Sequence, residues 1–83
     1  MYKIIITSRA ERELRRLEKA IKNRVVSAIY ALAENPRPHG CLKVKGEDLW
    51  RIRIGDWRVG YAIDDQARVV DVIRVNHRGQ FYN

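Results

Sequence analysis

Cysteine occurs once in this 83-residue chain, at Cys41, so an internal disulfide, a cysteine-paired metal site and a disulfide-stapled secreted scaffold are all excluded. Apolar runs are short. The stretch Ile4-Ile5-Ile6 is too brief for a signal peptide or a membrane span, which makes the cytoplasm the expected compartment. The glycines never gather into a phosphate-cradling loop, no carboxylates pair at a catalytic spacing, and no His/Cys/Asp/Glu cluster has metal-ligand spacing. Neither a metal nor a cofactor is therefore expected. Both prolines fall in Asn35-Pro36-Arg37-Pro38-His39-Gly40, which marks the one clear loop, and there are no repeats or low-complexity linkers. Acidic residues are also scarce: 10 Asp and Glu face 17 Lys and Arg, a net charge of +7 that favours nucleic acid or an acidic protein as partner.

A chain this short builds one domain over residues 1–83 around a single modest core. Tyr2 to Thr7 is β-branched and reads as a strand, after which Thr7 or Ser8 can cap a helix, with Ser8-Arg9-Ala10-Glu11 spaced as a capping box. Ala10, Leu14, Leu17, Ile21, Val25, Ala28, Ile29 and Leu32 then recur at helical spacing up to Asn35-Pro36. A straight helix from Arg9 to Glu34 would be about 39 Å long, more than the roughly 30 Å width of such a domain, so a bend near Glu18 to Ala20 is expected. Four strands follow, over Cys41 to Lys45, Leu49 to Ile54, Trp57 to Ile63 and Arg68 to Val75. Their turns are Gly46-Glu47-Asp48, Gly55-Asp56 and Asp64-Asp65-Gln66. The expected fold is α+β: a strand, a helical hairpin, then four strands in a mainly antiparallel sheet, with the helices on one face.

The hairpin Trp50 to Tyr61 carries the functional signal. Trp50, Ile52 and Ile54 alternate with Arg51 and Arg53, and beyond the Gly55-Asp56 turn Trp57, Val59 and Tyr61 alternate with Arg58. Three cations thus converge on the face opposite the apolar residues. Like charges repel, so such a cluster stabilises nothing unless an anion sits there, and a phosphate is the obvious candidate. Lys43 and Lys45, alternating with Leu42 and Val44, and then Arg74 and Arg78 are expected to extend this basic face for an RNA backbone. Alternation assigns Trp50, Trp57 and Tyr61 to core packing rather than to base stacking. Phe81 and Tyr82, in the polar tail, have no periodic reason to be aromatic; they either stack on bases or dock the tail.

Leu42-Lys43 with the following Gly46, the hairpin Trp50 to Tyr61, and the ending Val72-Ile73-Arg74-Val75-Asn76-His77-Arg78 with Tyr82 resemble the RelE branch of the RelE/ParE toxin superfamily. The resemblance covers essentially the whole chain. It implies a toxin that enters the ribosomal A site and cuts mRNA there, held in check by an acidic RelB-like antitoxin. It also implies roles for particular residues. Arg51 and Arg53 fall where the archetype has lysines, Arg58 and Arg78 match arginines, and Tyr82 matches a terminal tyrosine. Two departures stand out: lysine has twice become arginine, which removes an amine that could titrate, and the tail from Arg78 to Tyr82 is shorter than the archetype's. Other branches place a histidine in this tail, so His77 or His39 is an alternative proton carrier.

Cutting RNA through its own 2′-hydroxyl requires a base, charge stabilisation on the phosphate, and an acid for the departing 5′-oxygen. Arginines suit the middle task and are poor proton shuttles. That leaves Tyr82, whose phenol needs its pKa lowered from about 10 by neighbouring cations, or His77, since imidazole is the side-chain type suited to proton transfer at physiological pH. Two other readings remain at this level: a ParE-like poison of DNA gyrase that cuts nothing, and a non-toxic basic RNA-binding domain.

Overall fold

Three consecutive isoleucines, Ile4 to Ile6, lie near the start of the chain, and their β-branching favours the extended backbone. In the computed structural model, which describes residues 1–80, they form β1 (Lys3–Ile6). Thr7 then caps α1 (Ser8–Arg15): its Oγ1 accepts from the Ala10 amide at 3.2 Å and donates to the Ile73 carbonyl at 3.2 Å. The cap is therefore Thr7, and the third helical residue is Ala10. Consequently the Ser8–Glu11 capping box does not form, and Glu11 lies instead 4.0 Å from Arg15 one turn on.

The helical pattern breaks where length demands it. Glu18 is extended (φ −54°, ψ 147°), the Leu17 amide bonds back to Leu14 at 3.1 Å, and α2 (Lys19–Ala31) begins in a new direction. The break sits at the start of the expected Glu18–Ala20 bend, in a molecule whose longest dimension is 34 Å. The remaining strands are β2 (Leu42–Lys43), β3 (Trp50–Ile54), β4 (Trp57–Asp64) and β5 (Val69–His77). β2 is shorter than the Cys41–Lys45 expectation, and β5 runs two residues further than expected. Gly55, at φ +60°, makes the β3–β4 turn in a conformation that costs a side-chain-bearing residue energy.

The sheet has five strands in the order β1-β5-β4-β3-β2. All neighbours are antiparallel except β1 and β5, which pair parallel from Lys3 opposite Val69 to Ile6 opposite Val72. The first strand thus joins the last, completing the mainly antiparallel α+β sheet. Beyond Ile6 the edge of β5 would lose its partner. Glu13 of α1 takes over there, one carboxylate oxygen accepting from the Val75 amide at 2.7 Å and the other from Asn76 Nδ2 at 3.0 Å.

Both helices cover one sheet face. Ala10, Leu14, Val25, Ile29 and Leu32 bury there against Ile52, Val59, Tyr61, Val70, Val72 and Val75, with Trp50 and Trp57 packed on the cluster. Tyr61 is fully buried, and its hydroxyl donates to the Pro36 carbonyl at 2.7 Å, which anchors the proline loop to the core. Burial pushes this phenol above its ordinary range. Tyr61→Phe is expected to cost about 1–2 kcal/mol, because it strands a buried carbonyl; urea denaturation measures it, and a loss indistinguishable from zero would mean the carbonyl finds another partner.

Candidate functional site

Register decides which cations share a face. Residues directly opposite each other point the same way, so Arg53 opposite Arg58, and Arg51 opposite Gly60, lie on the face turned away from the helices. Gly60 in turn pairs with Arg74, and Arg58 with Asn76. A row Leu42, Arg51, Gly60, Arg74 therefore crosses four strands, and Arg53, Arg58 and Asn76 form the row beside it. The hairpin arginines and Arg74 are gathered as expected.

A bulge puts Arg74 there. The ladder pairs Gly60 with Arg74 but Tyr61 with Val72, so Ile73 is the extra residue. With unbroken alternation Arg74 would point with Val70 and Val72 into the core. The bulge shifts the phase, burying Val75 and turning Arg74 outward.

The arginines differ in environment. Arg51 is only 7% exposed, and its Nε and Nη1 have no hydrogen-bond partner. Arg53 is exposed, whereas the Arg58 Nη1 donates to the carbonyls of Gly55 at 3.0 Å and Trp57 at 3.1 Å. Arg74 Nη2 donates to Glu47 Oε2 at 2.9 Å. Arg78, in the turn after β5, is held by its amide to the Asp56 carbonyl at 2.8 Å, with its guanidinium 3.9 Å from the Asp56 carboxylate. A buried guanidinium with unpartnered nitrogens is costly, and an anion or a water that reached those nitrogens would offset the cost.

One expectation changes. Lys43 pairs with Trp50 in register and so lies on the opposite side from Arg51; its Nζ sits 5.3 Å from the Trp50 ring centre and 3.0 Å from Asp48 Oδ1. Leu42 occupies the place beside Arg51 instead, because β2 is two residues long and its pairing, not its composition, sets the phase. Lys45 is exposed in the turn beyond β2. His77 pairs with Trp57, its ring edge-on to the indole at 5.5 Å, on the side away from Arg53 and Arg58. His39 lines a cavity of about 360 Å³ between α2, the proline loop and the uncovered edge of β3 at Ile52 and Arg53. Tyr82 and Phe81 lie outside the described residues.

Two features carry no periodic signal in the sequence. One is Glu47, which looked like a turn residue only. The other is a strap from the proline loop: Arg37 donates from Nη1 and Nη2 to the two oxygens of Asp65 at 3.2 and 2.9 Å while stacking on Trp50, and Tyr2 donates its hydroxyl to Asp65 at 2.6 Å. The Arg37 hydrogen bonds, then the one from Tyr2, hold the Asp65 carboxyl down at about 2. Its folded pKa lies below the unfolded value of about 3.9, so the strap's contribution is complete above that value and disappears as pH falls through about 2. Asp65→Asn is accordingly expected to flatten the loss of melting temperature in this acid window; an unchanged acid profile would show that the strap does not couple to folding.

With this geometry, the family can be settled. A model of the ParE toxin of type II toxin-antitoxin systems, parDE, matches residues 4–82. The chain belongs to the RelE/ParE toxin family. Toxin RelE of Mycobacterium tuberculosis is 37% identical over 83 residues, spanning 98% of this chain and 86% of the relative. Among solved structures, the RelBE2 toxin-antitoxin complex of the same organism superposes with a TM-score of 0.82 at 30% identity, covering 93% of this chain and 98% of that one. An archaeal RelE-RelB complex from Pyrococcus horikoshii gives 0.80 at 28% identity, covering 95% and 97%. The intact RelBE complex of E. coli gives 0.80 at 26%, covering 93% and 96%. The RelE/ParE fold is thus present over nearly its whole length, and the arginine face is built upon it.

Proposed function

We propose that this member of the RelE/ParE family is a ribosome-dependent endoribonuclease that cuts mRNA in the A site and is restrained by an acidic RelB-like antitoxin. The observation that carries the reading is Arg51, a buried guanidinium with unpartnered nitrogens on the same face as Arg53, Arg58 and Arg74. The named relatives support it: one is called Toxin RelE, and the solved ones are held in complexes with RelB.

In this reading a base takes the proton from a ribose 2′-hydroxyl, the 2′-oxygen bonds to phosphorus, and the bond from phosphorus to the 5′-oxygen breaks. An acid protonates that oxygen, leaving a 2′,3′-cyclic phosphate and a free 5′-hydroxyl. Arg51, Arg53 and Arg58, with Arg78 in the turn after β5, neutralise the charge that grows on the phosphate oxygens. Tyr82 moves the proton. His77 is the less suited carrier, because its ring is turned toward Trp57. An acidic antitoxin neutralises the same face, so its binding weakens as salt rises.

Expression in a reconstituted translation system, with primer extension on the mRNA, tests the reading. Cuts at ribosome-dependent positions are expected. Inhibition of DNA gyrase without any cut would favour the second reading, a ParE-like poison, for which the name of the matching family model speaks.

A further inference from the structure

Glu47 stands out as an acidic side chain on a basic face. It belongs to the turn between β2 and β3, yet its carboxylate reaches Arg74 on β5, two strands away from β3, and binds at 2.9 Å. The Arg74 side chain is only 12% exposed, so this is no loose surface pair. Arg51, Gly60 and Arg74 form one row, and the buried Gly60 places no side chain between two arginines whose backbones are two inter-strand spacings, roughly 10 Å, apart.

On one side of Gly60 a carboxylate already holds Arg74. On the other, Nε and Nη1 of Arg51 have no partner. A carboxylate has two oxygens and is tethered to its turn, whereas a phosphodiester presents two free oxygens and two ester oxygens on a chain that continues past the site. We infer that Arg51 and Arg74 form an anion subsite across Gly60, and that Glu47 occupies it in the free toxin as a resident competitor that an RNA phosphate must displace. This deepens the RNA reading proposed above and rests on it. Glu47 therefore sets a threshold: RNA presented with its backbone ordered along the sheet supplies enough contacts to expel the carboxylate, and stray RNA does not.

Equilibrium binding of a 2′-O-methyl oligoribonucleotide, which cannot be cut, tests this without ribosome or turnover. Glu47→Gln is expected to tighten binding by about threefold to tenfold, since it removes a competing charge pair that is mostly desolvated on one side. Glu11→Gln, the same charge change on α1, serves as the control and is expected to give a clearly smaller gain. In an Arg74→Ala background the Glu47→Gln gain should vanish, and the slope of log Kd against log salt should fall by about 0.7, one phosphate contact on a single strand. Inorganic pyrophosphate, followed through the arginine side-chain NMR signals, supplies a second readout: Arg51 and Arg74 should respond at lower concentration in Glu47→Gln than in the parent. Unchanged or weaker binding in Glu47→Gln, or an equal gain in Glu11→Gln or in the Arg74→Ala background, would overturn the inference. Because neither assay involves cleavage, a toxin that fails to cut mRNA but shows these shifts would sink the nuclease reading alone.

Discussion

Arg51→Met is expected to reduce mRNA cleavage by about 100-fold or more while leaving the protein as stable as before or more so, by about 1 kcal/mol. The two effects have one cause. Arg51 lies 7% exposed with two guanidinium nitrogens unpartnered, so in the free protein its charge is a cost. Methionine replaces the aliphatic stem of Arg51 as far as Nε and carries no charge to bury, and replacing buried ionic groups with apolar ones is often neutral or stabilising. What it cannot do is hold a phosphate. Single-turnover cleavage on programmed ribosomes and urea denaturation read the two quantities separately. A variant that lost stability and kept its rate would mean that Arg51 supports the fold, and that the anion site lies elsewhere on the face. Arg53→Met offers the contrast: that side chain is already exposed, so its loss should lower the rate without the gain in stability.

The hairpin was readable because period-two alternation needs no knowledge of what pairs with what. Trp50, Ile52, Trp57, Val59 and Tyr61 pack where the pattern puts them, and Arg51, Arg53 and Arg58 gather opposite. Lys43 was misplaced for a reason of the same kind. Alternation along Leu42–Lys45 favours Leu42 inward and Lys43 outward, and the pairing of Lys43 with Trp50, a tertiary fact, overrides it. Arg74 reaches the basic face through the Ile73 bulge, for which the only trace in the sequence is the change of spacing from Val70 and Val72 to Val75. The parallel pairing of β1 with β5 leaves no local signal at all, since it joins residues more than sixty positions apart. The same is true of Glu47 and of the Arg37–Asp65 strap. Their partners are brought near by sheet order, and no propensity scale contains that.

Tyr82→Phe is expected to lower the single-turnover cleavage rate by roughly 100-fold with ribosome binding unchanged, and His77→Ala to change it little. The phenylalanine keeps the ring for stacking and removes only the hydroxyl, so a selective loss of rate isolates proton transfer. His77 is placed by the β4–β5 ladder: its pairing with Trp57 turns the imidazole edge-on to an indole, on the side of the sheet opposite Arg53 and Arg58. To act on a phosphate held by those arginines, it would have to leave the indole and pass around the end of β5. His77→Ala does remove that aromatic contact, so melting temperature must be measured beside the rate; a small loss of stability with a normal rate is the expected result. Should His77→Ala be inactive and Tyr82→Phe near normal, with an inflection of the rate near neutral pH where imidazoles titrate, the proton carrier would be the histidine, and the end of β5 would have to rearrange on the ribosome. Equal and small losses in both variants would leave charge stabilisation by the arginines and positioning by the ribosome as the sources of the rate, and no discrete general base could then be assigned to this chain.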